Sequence, residues 1–151
     1  MLLDTTFLSK AHGLVGAQFF LTLLAIIPFA GGPTPLPLGI GLLCAGLVLG
    51  AWTLKINNPE NFNVSPLPKL GARLCFEGPY KFCRHPMYLS LMMAVIGIVL
   101  CNHSLTNAVA AVFLVVVLDY KARLEEQLLQ RESGDYRAYM DRSRRFIPFI
   151  Y

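Results

Sequence analysis

Two short polar motifs interrupt an otherwise apolar sequence, and both carry side chains that can do chemistry. The first is GPYKFCRHPMY at residues 78–88, in which Arg84 and His85 come directly before Pro86. The second is the acidic pair Glu125 and Glu126. Proline is favoured in the first turn of a helix, so Arg84 and His85 are expected at a helix N-terminus, where the helix dipole attracts anions. Because histidine and glutamate also accept protons, the two motifs together indicate a site for a charged ligand.

These residues also have structural interpretations that involve no ligand. Arg84 could anchor the chain at lipid headgroups, and tyrosines such as Tyr80 and Tyr88 are common at membrane interfaces. A single histidine is more often structural than ligand-binding, and paired glutamates are often one solvated face of a helix. No G-x-G-x-x-G or P-loop pattern occurs, so the sequence does not indicate a soluble nucleotide-binding fold.

The composition indicates a membrane protein. The 151 residues are 55% hydrophobic and only 15% charged, with a mean hydropathy of +0.54, whereas soluble domains carry about 25% charged residues. The net charge of +4 could suggest nucleic acid, but the basic residues flank apolar runs, which is typical of side chains that face lipid headgroups. We therefore predict no nucleic-acid partner. The four cysteines are scattered and form no C-x-x-C motif, so neither a metal site nor a redox pair is predicted.

Four apolar runs predict an all-α integral membrane protein with about four transmembrane helices. The runs cover residues 13–30, 36–56, 88–101 and 105–118. The first two approach the roughly 20 residues that a spanning helix needs, and the last two are shorter. The brief polar turn Asn102-His103-Ser104 separates the last two runs, so they are expected to form a helical hairpin. The fourth helix is expected to continue through DYKARLEEQLLQRE and to stop at Gly134, forming a C-terminal extension.

The basic residues predict the orientation of the helices and the location of the site. All 13 Lys and Arg residues fall near the N-terminus, in the linker and its flanks, or after the fourth run, and none lies in the turns at residues 31–35 and 102–104. With four spans, the three basic regions share one face, which the positive-inside rule makes cytoplasmic. Pro86 begins the third span and the fourth ends near Leu118, so both polar motifs are expected at that face.

The whole chain, residues 1–151, is expected to form a single domain. Residues 1–56 would form an N-terminal helical hairpin, and residues 57–151 the part that binds a ligand. The linker at residues 57–83 is rich in Pro, Gly and Asn but contains apolar residues, so it is predicted to form an ordered cytoplasmic cap.

An ordered set of motifs resembles the isoprenylcysteine carboxyl methyltransferase family, whose wider relatives are the membrane phospholipid methyltransferases. The set comprises G-P-Y-x3-R-H-P-x-Y, then L-C-N at the hairpin turn, then E-E-x7-G-x-Y-x2-Y, and finally I-P-F. The resemblance covers roughly residues 57–151. The set in its order is fairly specific, although any one piece is not. The first two spans match the family only as apolar segments.

The resemblance implies an integral membrane methyltransferase that uses S-adenosylmethionine and is built of helices. By position, it implies that these residues bind the cofactor: Ala72, Arg73, Leu74, Cys75, Tyr80, Arg84, His85, Pro86, Met87, Tyr88 and Glu125. A family arginine that faces the substrate carboxylate aligns near Lys121, with Arg123 close by. These two residues and Glu126 are the candidate catalytic residues.

The methyl acceptor implied by the resemblance is lipophilic and enters from the bilayer. If the acceptor is a carboxylate, such as that of prenylcysteine, it is already ionised at neutral pH and needs no general base. Lysine lacks the bidentate fork of arginine, and Ser143-Arg144 replaces a Val-Pro of the family, so the acceptor could differ. An amine acceptor, as on a phospholipid, would have to lose a proton, which Glu126 or His85 could accept. Two further alternatives stay open, namely a non-catalytic membrane module that keeps the fold and a sterol-type reductase that uses NADPH. The sequence leaves the oligomeric state open.

Overall fold

The regular secondary structure of the described residues is helical, as the sequence predicts, apart from one isolated β-bridge between Cys83 and Arg144. A computed structural model describes residues 5–28, 36–57, 75–132 and 134–147. These residues form five α-helices and one short 3-10 helix at Gly78–Lys81. The α-helices are α1 (Thr5–Ile26), α2 (Pro37–Ile56), α3 (Pro86–Asn102), α4 (Leu105–Glu132) and α5 (Gly134–Arg142).

Three of these helices are long and apolar enough to cross a membrane, and the shorter apolar helix α3 accompanies them, which makes this a multi-pass membrane protein. Helix α2 matches its predicted span to within one residue. Helix α1 begins at Thr5, eight residues before the predicted first run, because Lys10 and His12 lower the hydropathy there without interrupting the helix. Helix α4 continues past Leu118 to Glu132, so the predicted extension of the fourth span is confirmed.

The predicted hairpin of α3 and α4 is closed by a tight turn at His103 and Ser104. His103 has a left-handed backbone conformation with φ of 50°, and its N–H donates to the carbonyl of Val99 at 3.2 Å. The Ser104 hydroxyl accepts a hydrogen bond from the N–H of Asn107 at 3.5 Å, as the cap of a helix N-terminus does. One turn therefore ends α3 and begins α4, which sets the two helices antiparallel.

The hairpin also holds the C-terminal end of α1. The buried Asn107 side chain donates from Nδ2 to the carbonyls of Leu24, Ala25 and Ile27 at 2.7–2.9 Å. Asn102 donates to the carbonyl of Ile26 at 3.3 Å. The last carbonyls of a helix lack intrahelical partners, and leaving them unsatisfied is costly in an apolar environment. These bonds therefore fix α1 antiparallel to α4.

Helices α2 and α3 pack with their backbones in close approach at glycines. A Cβ added to Gly97 would lie 2.5 Å from the carbonyl oxygen of Gly39 and 2.6 Å from the amide of Leu43. A Cβ added to Gly46 would lie 2.8 Å from backbone atoms of Ser90 and Ala94. Small residues at such contacts permit the close packing of membrane helices.

Helix α5 and the residues after it fold back on the entrance to α3. Gly134 begins α5, so the predicted stop lies where one helix ends and the next begins. The C-terminal segment (residues 143–147) then pairs with residues 82–85. Arg84 N–H donates to the Arg144 carbonyl at 2.7 Å, and His85 N–H donates to the Arg145 carbonyl at 3.2 Å. Most of the predicted linker cap, residues 58–74, lies outside the described residues.

Candidate functional site

The two polar motifs meet at the end of the bundle where α3 begins. His85 is the residue before α3, as predicted, and its ring stacks on Tyr88 with centroids 5.3 Å apart and an interplanar angle of 4°. The Tyr88 hydroxyl donates to Oε2 of Glu125 at 3.1 Å. His85 Nδ1 lies 3.7 Å from the same Glu125 oxygen, and its Nε2 lies 3.3 Å from Oε1 of Glu126. One imidazole thus connects the two glutamates.

The two glutamates have different surroundings. The Glu126 side chain is only 2% exposed and is held by two guanidinium groups. Arg84 Nε lies 2.8 Å from Oε1, and Arg145 Nη2 lies 2.7 Å from Oε2. The Glu125 side chain is 31% exposed, and among described hydrogen bonds its partner is Tyr88. Because ion pairs already surround Glu126, Glu125 is the carboxylate better placed to meet a ligand.

Arg84 and Arg145 join the site to the end of the chain. Arg84 Nη1 donates to the carbonyls of Met140 and Ser143, at 3.2 and 2.6 Å. Arg145 Nη1 also donates to Asp119 at 3.2 Å. Arg84, which the sequence proposes both as a headgroup anchor and as a cofactor residue, is thus engaged mainly with protein groups.

Protonated side chains complete the contact between the 3-10 helix and the C-terminal region. Burial raises the pKa of the Tyr139 phenol above its usual range, and its hydroxyl donates to the Tyr80 carbonyl at 2.5 Å. Burial raises the pKa of the Cys83 thiol to about 11, against smaller opposing effects of a backbone hydrogen bond and of Arg84. The Cys83 thiol donates to the Arg145 carbonyl at 3.2 Å. Both groups therefore act as hydrogen-bond donors at neutral pH.

Lys121 lies on the same face of α4 as Glu125 and is completely buried. Its ammonium donates a hydrogen bond to Oε1 of Gln18 on α1 and lies 5.2 Å from the centre of the Tyr88 ring. A cation over an aromatic face is attracted by the ring. Tyr88 therefore contacts both ends of the site, His85 on one side and Lys121 on the other.

Arg123 lies on a different face of α4 from Lys121. Its side chain is 53% exposed, and its Nε lies 2.7 Å from Asp119, one helical turn earlier. The structure brings Lys121 and Glu126 together with the R-H-P-x-Y motif, whereas the described ion pair of Arg123 is with Asp119, which also pairs with Arg145.

The other predicted cofactor residues divide into two groups. Pro86 is buried in the first turn of α3. The side chains of Cys75, Tyr80 and Met87, which lie within eleven positions of Pro86 in the sequence, are half-buried. Ala72, Arg73 and Leu74 lie outside the described residues. Within the described ranges, no group of three or more His, Cys, Asp or Glu side chains could hold a metal ion.

Sequence reasoning missed three residues that organise the site. Gln18 looks like one polar residue in an apolar run, Arg145 like one more basic residue, and Asn107 like a surface residue after a turn. A signal was present for the two amides, because uncharged polar side chains within apolar helices usually bond to a neighbouring helix. No comparable signal distinguishes Arg145 from the adjacent Arg144.

The family model of phospholipid methyltransferases matches residues 36–135, about two-thirds of the chain. The chain belongs to the phospholipid methyltransferase family. The matched residues of this phospholipid methyltransferase family member include both polar motifs and the hairpin that brings them together. The match confirms the wider family inferred from the motifs, whereas the isoprenylcysteine carboxyl methyltransferase family itself stays a prediction.

Curated relatives of this family member include two proteins named for metal resistance. The nickel-cobalt-cadmium resistance protein NccN of Alcaligenes xylosoxydans xylosoxydans is 36% identical over 79 residues, which cover 51% of this chain and 37% of NccN. The cobalt-zinc-cadmium resistance protein CzcN of Cupriavidus metallidurans is 29% identical over 76 residues, which cover 50% of this chain and 35% of CzcN. The chain thus aligns with just over a third of the length of these two relatives. The uncharacterized protein YpbQ of Bacillus subtilis is 26% identical over 117 residues, which cover 76% of this chain and 70% of YpbQ.

Proposed function

We propose that this protein is an integral membrane methyltransferase that uses S-adenosylmethionine to methylate a lipophilic acceptor at the cytoplasmic face. The observation that carries the proposal is the contact of Tyr88 and His85 with Glu125. It joins the two motifs on which the family resemblance rests, and both lie inside the segment that matches the phospholipid methyltransferase family.

The described side chains fit the chemistry of this cofactor. S-adenosylmethionine carries a sulfonium, an ammonium and a carboxylate besides its adenosine. The part-exposed carboxylate of Glu125, held by the Tyr88 hydroxyl, suits the ammonium or the ribose hydroxyls. The carboxylate of the cofactor would be favoured at the N-terminus of α3, beside His85. The residues Ala72, Arg73 and Leu74 are proposed to complete this site on the family resemblance alone.

When bound, S-adenosylmethionine supplies an electrophilic methyl group, and the contribution of the protein is positioning and charge. Glu126 holds His85 and Arg84 in place, and Tyr88 holds Glu125 through its hydroxyl. A carboxylate held by two guanidinium groups would lose these ion pairs on taking up a proton. The contacts of Glu126 therefore favour a positioning role over the role of proton acceptor.

The buried ammonium of Lys121 supports an acceptor that carries an anionic group. An ionisable side chain at membrane depth is expected to mark a functional site. A carboxylate acceptor is already ionised at neutral pH and needs no general base. An amine on a phospholipid would need one, and Glu125 or His85 would then be better placed than Glu126. We propose Lys121 as the residue that faces the acceptor, since Arg123 lies on another face of α4.

Calorimetric titration with S-adenosylhomocysteine, the product of the cofactor, tests this proposal. We expect the purified protein to bind it and the Glu125→Ala variant to lose at least tenfold in affinity, because a charge-assisted contact is removed. Gln127→Ala is the matched control, since Gln127 is exposed on the same helix. Absence of binding at millimolar ligand would refute the proposal, and binding of NADPH instead would favour a reductase.

The acceptor is identified by incubating membranes that contain the protein with labelled methyl donor. Mass spectrometry of the labelled lipid or peptide then separates a carboxylate from an amine product. If the protein binds S-adenosylhomocysteine and labels nothing, a non-catalytic module that keeps the fold becomes the better description.

A further inference from the structure

We infer that Gln18 on α1 is a positioning residue that sets the affinity of the site for the acceptor by holding the Lys121 ammonium. This inference rests on the proposed function. Helix α1 lies outside the segment matched to the family, residues 36–135, and yet it supplies a hydrogen-bond acceptor to Lys121, the one buried lysine among the described residues.

The geometry that joins the two residues follows from the anchoring of α1. Asn107, at the start of α4, holds the last carbonyls of α1, and Lys121 lies about four helical turns beyond Asn107. Helical side chains point back towards the N-terminus of their own helix. Because α1 and α4 are antiparallel, Lys121 reaches into the bundle while Gln18 reaches towards the site end. The two side chains therefore point towards each other along the bundle and form a hydrogen bond.

The chemistry of Gln18 explains why an amide is suited to this place. Its carbonyl oxygen accepts a hydrogen bond from the ammonium without cancelling the positive charge. Lys121 also contacts the neutral face of Tyr88, and Glu125, one turn further along α4, acts on it electrostatically. A carboxylate at position 18 would instead pair with the lysine and reduce its attraction for an anion.

The inference defines a chemical class of acceptor group. A positive charge held at membrane depth favours an oxyanion close to the methylated atom, either the carboxylate of a lipidated cysteine or the phosphate of a phospholipid. Two probes distinguish these sources, N-acetyl-S-farnesylcysteine for the carboxylate and radiolabelled phosphatidylethanolamine for the phosphate.

The test measures three affinities in nanodiscs for the unchanged protein and for Gln18→Met, Gln18→Glu and the control Thr22→Val. The affinities are those for S-adenosylhomocysteine and for each of the two probes, measured by equilibrium binding whether or not methylation occurs. Thr22 lies one turn after Gln18 on α1, and its hydroxyl donates to the Gln18 backbone carbonyl, so it reports on the helix alone.

We expect Gln18→Met to weaken binding of one probe about tenfold, as loss of a hydrogen bond to a charged group does. Gln18→Glu should weaken it further, while binding of S-adenosylhomocysteine stays within about twofold and Thr22→Val has no effect. If methylation occurs, the same variants should raise KM for the acceptor more than they lower kcat.

Unchanged probe binding in both Gln18 variants would overturn the inference and leave the proposed function intact. An equal loss of probe and S-adenosylhomocysteine binding, or failure of both variants to fold, would show a structural role and overturn it as well. If the unchanged protein binds a probe but not S-adenosylhomocysteine, the proposed function fails. In that case, weakened probe binding in the Gln18 variants would still support the inference about Gln18. Failure to bind either probe overturns it.

Discussion

At the scale of single residues, adjacent glutamates have separate tasks. Glu125 is part-exposed and bonded to Tyr88, whereas Glu126 is buried between Arg84 and Arg145. Neighbours in a helix point in directions about 100° apart, so one can face a ligand while the next faces the protein. A pair that reads as one acidic patch in sequence is therefore one candidate ligand contact and one structural ion-pair centre.

The same substitution should affect stability and ligand binding differently at the two glutamates. Glu126→Gln removes the described counter-ion of the nearly buried Arg84 and leaves Arg145 with Asp119 as its described carboxylate, so we expect it to destabilise the protein by about 3 kcal/mol. Glu125→Gln should change stability by less than about 1 kcal/mol, because Glu125 is a single part-exposed charge, and should weaken binding of S-adenosylhomocysteine. Thermal unfolding in detergent, with and without S-adenosylhomocysteine, measures both effects. Equal stability losses in the two variants would contradict this division.

At the scale of helices, three kinds of contact determine the arrangement. A tight turn pairs α3 with α4, amide side chains hold the end of α1, and glycines let α2 lie against α3. Each contact is local in its chemistry, and each constrains an entire helix because the helix is rigid. The site depends on the first two contacts, since the turn brings Tyr88 to Glu125 and Lys121, and the amide contacts bring Gln18 of α1 to Lys121.

The glycine contact predicts a difference between two conservative substitutions. Gly97→Ala places a methyl group against backbone atoms of Gly39 and Leu43 that cannot rotate away, so we expect a loss of about 1–3 kcal/mol. Gly41→Ala, on the exposed side of α2, meets nothing within 4 Å and should leave stability unchanged or raise it by up to about 1 kcal/mol, because alanine is the better helix former. Thermal unfolding of the two variants side by side provides the measurement. Equal stability of both would show that α2 and α3 do not pack this closely.

At the scale of the whole molecule, charge and polar contacts are concentrated at one end of the bundle. The turn of α3 and α4 lies at the opposite end, next to the end of α1. Lys10, Lys55, Lys81 and Arg84 lie near the helix ends that share the site. With the positive-inside rule, this distribution predicts that the site faces the cytoplasm.

Labelling of introduced cysteines tests the orientation. In a background without the native cysteines, Thr106→Cys and Lys81→Cys put one exposed thiol at each end of the bundle. In sealed right-side-out membrane vesicles, an impermeant maleimide should label the thiol at position 106 and should label the one at position 81 only after permeabilisation. The reverse pattern would contradict the cytoplasmic placement.

The local features of the fold were predictable from the sequence. The bounds of α2, the start of α3 at Pro86, the turn at residues 102–104 and the extension of α4 all follow from hydropathy and from turn chemistry, which depend on neighbouring residues. The contact between R-H-P-x-Y and the glutamates was also predictable, because a short hairpin forces its two outer ends together. The roles of all the candidate site residues in binding and catalysis stay predictions.

The sequence by itself determined that this is a helical membrane protein with a polar site between two motifs, because apolar runs and a short turn leave few alternatives. Only the tertiary structure decided which polar residues meet. Gln18 and Lys121 are 103 residues apart and Arg84 and Glu126 are 42 apart, and their pairing depends on the rotation and register of packed helices. Those quantities are set by contacts such as Asn107 on α1 and Gly97 against α2, which involve residues distant in the chain. The spacing of apolar residues in the sequence identifies which face of a helix is buried, but the helix that packs against that face is determined by the tertiary structure.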